Sequence, residues 1–129
     1  MVYPVHPRAA KNLTELSGFA PNIQFVDPQP YLEFNFLVRN SKAVITDSGG
    51  ITEEATVMGI PCMTLRNSTE RPETISLGTN ELVGIVPDNL LPYLNTLFEG
   101  KWKKGKVPPL WDGYAGERIV SHLEEILFC

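Results

Sequence analysis

Five short runs rich in β-branched and aromatic residues recur along the chain, and the stretch after each has a different period. Residues 1–7 (Met1-Val2-Tyr3-Pro4-Val5-His6-Pro7), 23–27, 43–46, 61–65 and 81–86 have this character and predict strands. Residues 8–16 predict a short helix stopped by Ser17-Gly18. Residues 31–38 are apolar on nearly every side (Leu32, Phe34, Phe36, Leu37), which suits a buried helix. A helix that begins after Ser48 runs to Met58, where Gly59 and Pro61 stop it, and Glu70-Arg71-Pro72-Glu73 opens a shorter one that ends near Gly78. Asp88 is placed to cap a helix with Leu91, Leu94, Leu97 and Phe98 on one face. The last helix carries Ile119, Val120, Leu123, Ile126 and Leu127 as a stripe that needs a surface to pack on. The basic stretch 100–109, with its prolines and glycines, reads as an exposed loop.

Strands that alternate with helices pair in parallel through right-handed crossovers, so the predicted fold is α/β, a Rossmann-like doubly wound parallel sheet. Ligands of such sheets lie beyond the carboxyl ends of the strands. His6, Asp27, Asp47 and Arg66 each follow a strand, which predicts that they collect along one rim. A length of 129 residues predicts one domain, 1–129, and 43% hydrophobic against 20% charged residues fits a folded rather than a disordered chain. A formal charge of -4 argues against a nucleic-acid surface, which needs a basic stripe. Any anionic ligand must therefore be held by dipoles and one or two arginines. No apolar run reaches membrane-spanning length, no signal peptide is expected ahead of the first strand, and no membrane partner is expected. Cys62 sits in an apolar run and Cys129 is the last residue, so no disulfide framework is expected and a reducing cytoplasm is the predicted location. His6 and His122 lack a second ligand at useful spacing, so neither a metal nor another cofactor is expected.

The most informative stretch is Thr46-Asp47-Ser48-Gly49-Gly50-Ile51-Thr52-Glu53-Glu54-Ala55, where a strand passes through a small polar turn into a helix. Glycines let a phosphate approach the backbone, and the first amides of the helix point at it unpaired. Ser48, Gly49 and Gly50 are thus candidates for binding a diphosphate, with a plain tight turn as the other reading. A helical wheel puts Ile51, Ala55 and Met58 on the buried face, Glu54 at its edge and Glu53 on the opposite, solvated side. Glu54 is placed either to favour the helix dipole or to accept hydrogen bonds from ribose hydroxyls. Arg71 either clamps an anion or pairs with Glu70 or Glu73. His6 is structural or lines the rim, and Phe34 is core. Ser48 lacks the flanking pattern of a nucleophile elbow.

Taken together, Tyr3-Pro4-Val5-His6, Asp27-Pro28 with Tyr31-Leu32, Thr46 through Ala55, Thr69-Glu70-Arg71-Pro72-Glu73, Gly78-Thr79-Asn80 with Leu82-Val83-Gly84, and Asp112-Gly113 with Ala115 and Arg118-Ile119 resemble the C-terminal domain of the non-hydrolysing UDP-N-acetylglucosamine 2-epimerases. The resemblance covers almost the whole chain. Thr52 departs from it, since many members carry glutamine there, and the wheel turns this position away from the buried stripe.

The resemblance implies the C-terminal half of a GT-B architecture, lacking its first β-α unit. It implies an isomerase that interconverts UDP-GlcNAc and UDP-ManNAc by eliminating UDP and adding it back to the other face, without metal or nicotinamide. By motif, Ser48, Gly49 and Gly50 meet the phosphates, Glu54 the ribose, Phe34 the uracil through its backbone, and Arg71 the nucleotide end. His6 matches a histidine near the sugar or near an activating second UDP-GlcNAc. The family's N-terminal domain, with its acid/base carboxylates, and its His-Arg-Arg segment have no counterpart in the sequence, so no catalytic residue is assigned. The expectation is a UDP-binding part that is inactive alone and is partnered by an N-terminal epimerase domain on another chain. A sheet without its central first strand also predicts association of like chains through strand edges. The rival readings are a noncatalytic nucleotide-sugar-binding regulatory subunit and a GT-B glycosyltransferase fragment.

Overall fold

In the computed structural model, which describes residues 1–7, 9, 13 and 21–128, every strand is three residues long and every pairing is parallel. The strands form two ladders, and the chain divides into two units, Met1–Leu37 and Val38–Cys129. The predicted class, parallel strands joined through helices, is what the structure has. The described strands lie in ladders of two and three. The helix predicted at 8–16 lies outside the described residues apart from Ala9 and Leu13.

In the first unit β1 (Val2–Pro4) lies parallel to β2 (Gln24–Val26), with Tyr3 opposite Phe25. Their rings meet edge to face with centroids 5.9 Å apart, a cross-strand pair of the kind that holds a short ladder together. Pro28 and Pro30 end the extended segment, and α1 (Tyr31–Arg39) follows. This helix is not buried as its composition predicts: Val38 is its one buried residue, while Leu32 is 77% exposed and Tyr31 and Phe36 are both 68% exposed. A helix with apolar residues all round is covered only where neighbours surround it, and here one side is covered.

The second unit is built on β3 (Val44–Thr46), β4 (Cys62–Thr64) and β5 (Asn80–Leu82), in the order β3-β4-β5. β4 has a neighbour on each side and is buried at all three positions. The crossovers carry α2 (Gly49–Met58) and α3 (Pro72–Ser76). Gly59 closes α2 at φ +71°, a left-handed cap that returns its N–H to the carbonyls of the last turn. Pro72 opens α3, where a missing N–H costs nothing.

β5 ends at Leu82 rather than running to 86, because Gly84 turns the chain at φ +85°. A 3-10 turn (Pro87–Asn89) then leads into α4 (Leu90–Phe98). Asp88 lies within that turn instead of capping the helix. Asn89 instead ties the turn down, donating through Nδ2 to the Val83 carbonyl at 3.1 Å. Met63, Val83 and Leu97 form the core, with Ala43, Ile45, Leu90, Tyr93, Leu94 and Trp102 packed against it.

The stretch 100–109 has no helix or strand and is exposed at most positions, as its composition predicts, but it is tied down as a strap. Trp102 Nε1 donates to the Thr79 carbonyl at 2.8 Å, Lys103 Nζ to the Ile75 carbonyl at 2.6 Å, and the Lys106 N–H to the Leu77 carbonyl at 2.9 Å. Lys103 also pairs with Glu81 at 3.1 Å. Trp102 packs on the core and the polar ends of Trp102 and Lys103 find carbonyls, which a charge count along the chain does not reveal. The last helix, α5 (Ala115–Phe128), has no buried residue, so its predicted stripe is bare among the described residues. No helix among them is long and apolar enough to cross a membrane.

Candidate functional site

The turn from β3 into α2 is open in a way its sequence does not require. Ser48 is the residue before the helix, extended at φ -85° and ψ 126°, yet its hydroxyl makes no capping bond. Its own N–H donates to Thr46 Oγ1 at 3.0 Å. The first turn of α2 holds no acidic residue, so no side chain of that turn occupies the positive end of the helix. Gly49 and Gly50 are not among the residues with positive φ. A Cβ on Gly50 would meet nothing within 4 Å, and one on Gly49 would meet only Arg66 Nη1, at 3.8 Å. Neither backbone strain nor packing calls for glycine at these positions. What the missing side chains provide is free approach to the amides.

Two arginines flank α2. Arg66 follows the end of β4, as Asp47 follows β3, so within this unit both lie beyond the carboxyl ends of adjacent parallel strands. Its guanidinium stands beside Gly49, with a loose contact to Glu70 at 3.8 Å as its ion pair among the described residues. Arg71 precedes α3, and of the two alternatives its sequence leaves open, an anion clamp or a pair with Glu70 or Glu73, the pair is not formed. Its Nε donates to Glu53 Oε1, and neither Glu70 nor Glu73 is an ion-pair partner. The hydrogen bond and charge of Glu53 hold the guanidinium pKa above its ordinary value. Glu53, predicted to be solvated, is thus half-covered and engaged across to α3.

The wheel assignment of α2 is corrected further. Its buried residues are Thr52, Ala55 and Thr56, so Thr52 faces inward. Its hydroxyl donates back to the Gly49 carbonyl at 2.6 Å. Small side chains line this face because the helix approaches closely: a Cβ on Gly78 would come within 2.6 Å of the Thr56 side chain. Glu54 is partly exposed and makes no hydrogen bond or ion pair with the described residues. Sequence reasoning missed Glu53 because its partner lies 18 residues away.

His6 and Phe34 belong to the first unit. His6 is exposed just past β1, and its carbonyl accepts the Ala9 N–H at 2.8 Å. Phe34 is half-buried in the first turn of α1, with its N–H already given to the Pro30 carbonyl at 2.9 Å. Beside it, Gln29, Leu32, Glu33, Phe36 and Leu37 line an open hollow. The described residues contain no group of three or more His, Cys, Asp and Glu side chains fit to hold a metal ion.

Parallel ladders with crossover helices, and an uncapped helix terminus beyond a strand end, define an α/β protein of the class that presents helix amides to ligands. The sequence profile of the UDP-N-acetylglucosamine 2-epimerases matches residues 1–124, and the chain belongs to that family. It is 39% identical over 130 residues to the UDP-N-acetylglucosamine 2-epimerase of Methanocaldococcus jannaschii, covering 95% of this chain and 34% of the relative. The crystal structure of the M. jannaschii enzyme in complex with UDP-GlcNAc and UDP superposes with a TM-score of 0.75 at 40% identity, over 96% of this chain and 35% of that one. The S. aureus MnaA-UDP co-structure gives a TM-score of 0.80 at 31% identity, over 98% and 35%. A Pseudomonas aeruginosa UDP-2,3-diacetamido-2,3-dideoxy-D-glucuronate 2-epimerase is 36% identical over 126 residues, 98% of this chain and 35% of the relative. The chain thus spans about a third of the length of the relatives it matches, as a partial C-terminal domain.

Proposed function

We propose that the chain, 1–129, is the UDP-binding part of a UDP-N-acetylglucosamine 2-epimerase and does not epimerise alone. The observation that carries this reading is the pair Gly49 and Gly50, which the fold leaves free to bear side chains and which border unpaired helix amides. The relatives support it from another direction. Enzymes named for two different UDP-sugars, in M. jannaschii and P. aeruginosa, match the same segment at similar identity. Those substrates share UDP and the 2-acetamido pyranose it carries, and a UDP-binding segment fits the shared part.

In this reading Ser48, Gly49 and Gly50 hold the diphosphate, with Arg66 and Arg71 as the cations. Glu54, whose side chain has no hydrogen-bond or ion-pair partner among the described residues, accepts the ribose hydroxyls. The Phe34 backbone meets the uracil, and His6 meets the sugar or a second UDP-GlcNAc. The chain binds UDP or UDP-GlcNAc weakly, because one wall of a cleft is present. An N-terminal epimerase domain on another chain completes the site, and UDP leaves and returns there without a metal or other cofactor. The assembly works in the cytoplasm and feeds precursors of cell-surface polysaccharide.

The test is UDP titration of the wild-type chain and Gly50→Ala, followed by amide NMR. Wild type is expected to shift at residues 48–54. In Gly50→Ala those shifts weaken, while the fold gains about 0.4–1 kcal/mol from the lost freedom of the unfolded chain. A variant that is stabilised and still binds UDP like wild type would overturn the reading.

A further inference from the structure

Arg71 is fixed from two sides by groups to which the nucleotide reading gives no role. Its carbonyl accepts the Thr74 hydroxyl at 2.7 Å and the Thr74 N–H at 3.0 Å. Thr74 Oγ1 in turn accepts Asn80 Nδ2 at 3.1 Å, and Asn80 Oδ1 accepts the Thr64 hydroxyl at 2.6 Å. Thr64, Thr74 and Asn80 are all buried, at 1%, 0% and 0% exposed. A continuous polar chain therefore runs from the middle strand through β5 to the backbone of Arg71. Buried polar groups of this kind are costly unless every member is satisfied, and here each finds its partner. The Thr69 hydroxyl completes the backbone clamp by accepting the Arg71 N–H at 3.1 Å. At the other end of the residue the side chain is held by Glu53 of α2.

We propose that Glu53 is a positioning residue: its carboxylate holds the Arg71 guanidinium in the geometry that receives a nucleoside diphosphate, while the Thr64–Asn80–Thr74 chain fixes the backbone below it. The proposal rests on the UDP-binding reading and deepens it. A free arginine is a long, rotamer-rich side chain, and ordering it at the moment of binding is a cost that a preformed ion pair removes in advance. Glu53 accepts at Nε. It therefore leaves Nη2 and the second Nη1 N–H of the guanidinium for phosphate oxygens of a ligand, Nη1 also making a long 3.5 Å bond to the Glu70 carbonyl.

Simple electrostatics predicts the opposite sign. A carboxylate beside an anion site repels the anion and competes for its arginine, so removing the charge should tighten binding. Glu53→Gln decides between the two. As a positioning residue, Glu53 loses its charge-assisted bond in this variant, and UDP affinity falls by about 2- to 12-fold. In an Arg71→Ala background the same substitution changes affinity by less than about 1.5-fold, because the two act as one unit. Thermal stability stays close to wild type, since an exposed pair contributes little to folding.

The second measurement needs no ligand. The Arg71 Nε–H resonance of the intact chain is expected as a resolved, slowly exchanging signal, lost in Glu53→Gln and restored in part in Glu53→Asp. Tighter or unchanged UDP binding in Glu53→Gln, or an Nε–H signal indifferent to the substitution, overturns the proposal. Absence of UDP binding by the wild-type chain is a different failure: it removes the nucleotide reading, and the positioning role with it.

Discussion

At the scale of single residues, the separation between groups that build the protein and groups left over is sharp around α2. Thr52, Ala55 and Thr56 are spent on packing, Glu53 on Arg71, and Glu54 on nothing within the described residues. If Glu54 serves the ribose, Glu54→Ala leaves the melting temperature within a few degrees of wild type and abolishes the UDP-dependent shifts at residues 48–54. Thermal denaturation and NMR titration of the same preparation measure the two halves of that expectation. Asn80 is the converse case. Its amide joins three elements in the buried interior, so Asn80→Ala takes away the acceptor of the Thr64 hydroxyl and a donor to Thr74 Oγ1, and costs about 1–3 kcal/mol of stability. Cys62 is fully buried, and burial pushes its thiol up to about 12, only partly opposed by a hydrogen bond with Thr64. Thiol reagents attack the thiolate, so in a Cys129→Ser background Cys62 is expected to stay unreactive at pH 8 until urea unfolds the chain.

Elements show where local pattern suffices and where it does not. The strands after Ala43 and Pro61, and the helix stopped at Gly59, are written in residues adjacent in sequence, so their existence was legible. So was the open turn at Ser48-Gly49-Gly50, because a strand end, small residues and a helix start announce themselves within ten positions. Not legible was which face of α2 is buried. The wheel favours Ile51 and Met58 for hydrophobicity, but close approach to Gly78 selects the threonines for size. The pairing of Arg71 was hidden for a related reason: three glutamates, Glu53, Glu70 and Glu73, compete for it, and only the packing of α2 against α3 chooses the distant one.

α5 provides a test of its own at this scale. Asp112 accepts the Tyr114 N–H at 3.1 Å and Arg118 through both oxygens, which fastens the start of the helix. The Arg118 bond is the main reason that the Asp112 carboxyl is lowered to about 2. A depressed carboxylate contributes stability that is complete above its unfolded pKa, near 4, and is lost as pH falls toward 2. Helical circular dichroism is therefore expected to fall over that window in wild type, and to be lower and flatter there in Asp112→Asn. Burial predicts a further contrast. Leu97→Ala in the core costs about 2–5 kcal/mol, whereas Leu123→Ala on the bare stripe costs less than about 0.5 kcal/mol.

For the whole molecule the telling feature is the composition of β3. Val44 and Ile45, with Ala43 just before them, are apolar on both faces, as in a strand with neighbours on each side, yet among the described residues β3 pairs with β4 alone and is only half-buried. A strand edge without a ladder partner templates association. Sedimentation velocity across a hundredfold range of concentration is expected to show a growing fraction of dimer or larger species. A monomer throughout would refute self-association by strand edges. The division into two ladders was not legible in the sequence, since the same five runs are equally compatible with one continuous sheet.

The strap over the core has an optical consequence. The chain has two tryptophans, and one of them, Trp102, sits against the Met63–Val83–Leu97 cluster with its indole N–H bound to a backbone carbonyl. Its emission is therefore blue-shifted while the strap is seated and moves to the red when residues 100–109 lift off. In a Trp111→Phe background the protein reports, without any label, whether its strap opens before its core melts.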